Sequence, residues 1–162
     1  MSHTVTITRT TTTSGTTSAL IINTGYLKTI PGLLKLVQLL LGAACTGVML
    51  WYLDHYIITG SPELFFLLMS VTFMIATFCL LASCIVSLST GGIIEKTIYE
   101  LIYHTIGCIL ILASSLNLVV RINDYKRTEL YDPFLAASIM GLVNAILYCV
   151  SAVFARRTYK GI

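Results

Sequence analysis

Between Leu33 and Leu53 the chain runs for 21 residues with a single charge, Lys35. At about 1.5 Å per residue, a helix of that length covers roughly 30 Å, the thickness of the hydrocarbon core of a bilayer. The stretch therefore predicts a membrane-spanning helix. Lys35 lies one turn inside its start, where a long side chain can snorkel back to the headgroups. Trp51 and Tyr52 lie at the far end, where amphipathic rings favour the opposite interface.

Three more runs repeat the pattern. Leu64 to Leu88 and Phe134 to Phe154 carry no charge, and Leu101 to Val120 carries only His104. Spans are expected at about 33–53, 64–88, 101–120 and 134–154, which makes the fold class an all-α membrane protein, a four-transmembrane-helix bundle. Charged residues are 10% of the chain, against about a quarter in soluble domains. The net charge of +3 is scattered around apolar runs and forms no basic stripe, so no nucleic-acid partner is expected.

The punctuation agrees with the count. Pro31, Pro62 and Pro133 stand at helix starts, with Ser61 and Asp132 read as N-caps. Gly91 and Gly92 are expected to stop the second span. Ile93 to Glu100 then reads as an interfacial helix that runs into the third. Residues 1–25 are rich in Thr and Ser with one charge, Arg9, and read as a disordered cytoplasmic tail open to phosphorylation. Residues 156–162 read as a short basic cytoplasmic tail.

Four spans place both termini on one side. If that side is the cytoplasm, it holds Arg9, Lys28, Lys35, Lys96, Arg156, Arg157 and Lys160, while the outer loops hold Arg121, Lys126 and Arg127. The excess of basic residues inside favours this orientation. The outer loops are short and carry neither a cysteine nor an Asn-x-Ser/Thr acceptor, which argues against claudin-like or tetraspanin-like adhesion proteins.

Two stretches resemble the MARVEL domain, the four-helix membrane module of MAL, plasmolipin, the chemokine-like-factor MARVEL proteins, occludin and the synaptophysin group. One is the opening Leu27-Lys28-Thr29-Ile30-Pro31-Gly32-Leu33-Leu34-Lys35-Leu36-Val37-Gln38-Leu39. The other is the small-residue fourth span from Ala136 to Tyr148. The resemblance covers a domain of about 26–155. It implies cytoplasmic termini, a compact left-handed bundle, no catalysis, and work in membrane apposition, vesicle trafficking, cell junctions or lipid-domain organisation.

Candidate functional residues are few. No Cys-x-x-Cys, His-Glu-x-x-His, Gly-x-Ser-x-Gly or phosphate loop occurs, and no acidic residue falls inside the expected spans, so neither an enzyme nor a cofactor is expected. Glu100 and His104, four apart at the start of the third span, form a pair suited to a headgroup or to a proton. Ala137, Gly141 and Ala145, with Cys149, recur every four residues as a helix-packing stripe, and Ala43 and Gly47 make a shorter one. Asn144 and Asn117 read as interhelical hydrogen-bonding residues. Of the five cysteines, Cys84 is the lipidation candidate.

These readings point to a non-enzymatic organiser of membrane domains, trafficking or cell contacts, in the plasma membrane or trafficking vesicles. Its expected partners are lipids, other membrane proteins and copies of itself. The alternative is a small transporter or channel that uses polar residues within the bundle.

Overall fold

A computed structural model describes residues 24–56, 60–86, 93–94, 97–126 and 128–161. Residues 1–23 of the Thr/Ser-rich tail, the Gly91-Gly92 stop, and Glu95, Lys96 and Arg127 lie outside the described residues. Four long helices account for most of the rest: α1 (Ile30–Tyr56), α2 (Ser61–Val86), α3 (Ile98–Ile122) and α4 (Tyr131–Lys160). All four are long and apolar enough to cross a membrane. The 27-residue α1 is about 40 Å long, so its ends reach past the hydrocarbon core. Among the described residues there is no strand, as lipid demands of a chain that must satisfy its own backbone.

Local chemistry sets where the helices begin. A short 3₁₀ turn, Thr24–Lys28, precedes α1. Thr29 caps α1 by accepting the Gly32 N–H on its hydroxyl (3.2 Å), and the same hydroxyl donates to the Tyr26 carbonyl (2.6 Å). A Cβ at Gly32 would collide with that carbonyl. The Thr-Ile-Pro-Gly opening is thus one joint, in which only glycine lets the 3₁₀ turn fold back on the first turn of α1.

The other starts differ from expectation. The Gly60 carbonyl accepts the Leu64 N–H (3.2 Å) and the Leu130 carbonyl accepts the Phe134 N–H (3.2 Å). Those residues therefore occupy the cap positions, and Ser61 and Asp132 lie inside the first turn. Thr97 is extended (φ −95°, ψ 151°), so α3 starts afresh at Ile98. Tyr99 and Glu100 consequently belong to the span and not to an interfacial helix. At the far end α4 continues beyond Phe154 to Lys160, where Gly161 ends it in the left-handed conformation (φ 69°). The basic residues 156–160 form the last turn of α4 where a tail was expected.

The helices form an antiparallel ring in chain order. α1 packs on α2 and α4, α2 on α3, and α3 most extensively on α4. Small residues explain that last pairing: Gly107 of α3 lies against the Tyr148 ring, and Gly141 of α4 against Ser115 Oγ and the Phe66 ring. Along α1, Lys35, Gln38, Gly42, Cys45 and Met49 follow a 3,4 spacing, and all are buried. The outward faces carry Leu40, Leu50, Leu68, Ile75, Ile109 and Ile146. Such a surface would aggregate in water and is what lipid requires.

Candidate functional site

The end of the bundle that holds both described chain ends encloses charge. Lys35 on the first turns of α1 is 1% exposed, and its Nζ donates to Glu100 Oε1 (2.5 Å) and to the Tyr26 hydroxyl (2.8 Å). Tyr26 reaches it because the Gly32 joint folds the preceding turn back over α1. His104, one turn beyond Glu100 on α3, places Nε2 3.5 Å from the same Oε1, too far for a good hydrogen bond. Glu100 Oε2 and both ring nitrogens of His104 are buried without a hydrogen-bond partner. They border a cavity of about 60 Å³ among α1, α3 and α4, whose other walls include Pro31, Leu34, Ser151 and Phe154.

The cluster shows why Lys35 does not snorkel. Moving an ammonium out of water costs several kcal/mol, but an equally buried carboxylate at contact distance offsets that cost. Glu100 and His104 likewise turn into the bundle, 3% and 0% exposed. The sequence shows these two as a pair but not their partner, because Lys35 lies 65 positions away from Glu100.

Two further polar sets continue inward. Gln38 Nε2 donates to Ser151 Oγ (2.9 Å), and Asn144 Nδ2 to the Gln38 carbonyl (3.4 Å), joining α1 to α4. The Thr77 hydroxyl pairs with the hydroxyls of Tyr103 (2.6 Å) and Tyr148 (2.5 Å), joining α2 to α3 and α4. Thr77→Val keeps the shape and removes those bonds, so a loss of about 1 kcal/mol is expected, read as the shift in reversible unfolding in detergent. An unchanged midpoint would show that these hydroxyls do not hold the helices.

The opposite end carries its own buried acid. Glu63 of α2 is fully enclosed and accepts from the Tyr125 hydroxyl (2.8 Å) and Arg121 Nε (3.4 Å), while Arg121 also bonds Asp124. Glu63 reads as a loop residue in the sequence because the apolar run starts just after it. Between the two charged ends lies a layer in which Met49, Phe66, Leu118 and Phe134 are all fully buried.

The remaining sequence candidates separate clearly. Asn144, Ala137, Gly141 and Ala145 are buried at helix contacts, whereas Cys149, last in that stripe, is exposed. Ala43 and Gly47 face outward, and a side chain at Gly47 would meet nothing within 4 Å. Asn117 is exposed too, on the lipid-facing side of α3 rather than between helices. Cys84 is wholly buried in a cluster with Tyr26 and Leu81. That burial argues against the lipidation expected of it.

A family model described as a membrane-associating domain, MARVEL, matches residues 26–154. The match starts at the tyrosine that covers Lys35 and includes all three polar sets. No curated protein and no solved structure matches the chain.

Proposed function

Because the chain belongs to the MARVEL family of membrane-associating domains, we propose that this multi-pass membrane protein works without catalysis, by lateral association with lipids and other membrane proteins, organising membrane domains, vesicle trafficking or cell contacts. The observation that carries this reading is the division of the bundle's surface from its interior. Polar side chains inside bond mainly to one another, while the outward faces of all four helices are apolar. A protein built in this way meets its surroundings through lipid-exposed side chains and helix ends. Ala43 and Gly47 leave a shallow place on α1 for a neighbouring helix, including that of a second copy.

Charge supports one orientation. Lys28, Arg156, Arg157 and Lys160 are exposed at the end where both described chain ends lie. By the positive-inside rule this supports a cytoplasmic location for that end, and the organiser reading goes with a protein of the plasma membrane or trafficking vesicles. A transporter or channel is the second reading, favoured by the charged cluster and its cavity. The Met49, Phe66, Leu118 and Phe134 layer argues against it, since a path through the bundle would have to open a fully packed apolar level.

A C-terminally tagged chain at native expression level in a polarised epithelium is expected to concentrate at lateral contacts or on vesicles. The purified protein in sealed liposomes is expected to leave a pH gradient intact. Uniform, freely diffusing distribution, or dissipation of the gradient, would overturn the organiser reading.

A further inference from the structure

The cavity at the charged end has a feature that packing alone does not explain. His104 is fully buried, yet neither of its ring nitrogens has a hydrogen-bond partner, and Glu100 beside it presents an unbonded Oε2. A void of about 60 Å³, large enough for a few waters, has both residues in its wall. The cavity therefore sets a water-sized space beside an imidazole, the side chain whose charge changes between about pH 5 and pH 8.

We propose that this cavity is a proton-binding site in which His104 takes up a proton and captures Glu100, driving the Lys35 ammonium out toward the end of the bundle. The step is a simple transfer. A hydronium ion in the cavity gives its proton to a ring nitrogen, an N–H bond forms, and water is left behind. The response of the cluster depends on the groups that face His104. α1 brings Lys35, α3 brings Glu100 and the Tyr103 ring (centroids 5.0 Å apart), and α4 brings the Tyr148 ring (5.7 Å). α2 contributes Thr77, which holds both phenols, and Tyr26 caps Lys35 from outside.

Before uptake, the cluster is one cation and one carboxylate. Afterwards, two cations share one carboxylate in a site with little water, an excess charge that the interior does not tolerate. His104 is the less free of the two, because its short side chain packs against the Tyr103 and Tyr148 rings, which also touch each other (centroids 6.1 Å apart). Lys35 can leave, because it has a long flexible stem and lies one turn from the end of α1. Its departure also removes the bond to Tyr26, loosening the 3₁₀ turn from α1. An acidic compartment would thus change the face that the protein presents at this end.

The test is brief acetylation of the full chain in nanodiscs, with mass spectrometry reporting Lys35 relative to exposed Lys160, which corrects for the pH dependence of amine reactivity. The Lys35 to Lys160 ratio is expected to rise severalfold from about pH 7.5 to about pH 5.5. In His104→Gln it is expected to stay low throughout. A flat ratio in the unmodified protein, or an equal rise in His104→Gln, would overturn the proposal. Should that variant fail to fold, ¹³C-histidine NMR of the unmodified protein decides. The His104 signal must titrate with the same midpoint as Lys35 labelling, and a His104 that stays neutral while Lys35 becomes reactive refutes the coupling.

Discussion

Lys35→Met is expected to destabilise the bundle by about 3–5 kcal/mol, because it leaves the Glu100 carboxylate buried without its counter-ion. Glu100→Leu is expected to cost a similar amount by stranding the ammonium. The double variant is expected to recover most of the loss, since two apolar side chains replace a pair whose desolvation cost nearly cancels its attraction. Reversible unfolding in detergent or bicelles at neutral pH, run as a double-mutant cycle, measures the coupling. A harmless Lys35→Met would mean that the ammonium already reaches the headgroups, as its position one turn inside α1 suggests. Strictly additive losses would mean that the two residues are not paired. Only the buried ion pair gives large single losses with recovery in the double.

Span number and the helical class are legible in the sequence because both depend on composition over long windows. Four apolar runs of about 20 to 25 residues, with one lysine among them, admit few other structures in lipid. The family is legible at the Thr29 to Gly32 joint, where local chemistry fixes a turn. The interior is less so. Distance to the helix end marks Lys35 as a snorkelling residue, although its spacing with Gln38, Gly42, Cys45 and Met49 puts it on the seam that faces the other helices. That seam is a signal in plain view, and the charge masks it. Glu63 shows a different failure. Its partners are Arg121 and Tyr125, 58 and 62 positions away, and no local pattern announces them. The small-residue stripes show a third, since a stripe marks a face but not what covers it. One of the two turns inward, and the other largely outward.

That divergence makes the second large effect testable within one pair of variants. Gly141→Leu is expected to lower stability by at least about 1–3 kcal/mol, the range for overpacking, or to prevent assembly of the bundle. Even a Cβ at Gly141 would press on Ser115 Oγ and lie 2.7 Å from the Phe66 ring, and neither can move freely. Phe66 is fully buried in the apolar layer and Ser115 Oγ is tied to the Ile111 carbonyl at 2.7 Å. The strain would fall on the α3–α4 contact, the most extensive in the bundle, and on α2 at once. Gly47→Leu makes the same chemical change on a helix face with nothing within 4 Å, so it is expected to leave the unfolding midpoint of the monomer unchanged. Each variant calibrates the other: leucine's greater helix propensity over glycine is common to both and favours the folded state slightly in each. Equal midpoints for the two would mean that α4 does not approach α2 and α3 through Gly141. A loss in Gly47→Leu confined to conditions in which copies associate would instead locate a second chain on the outer face of α1.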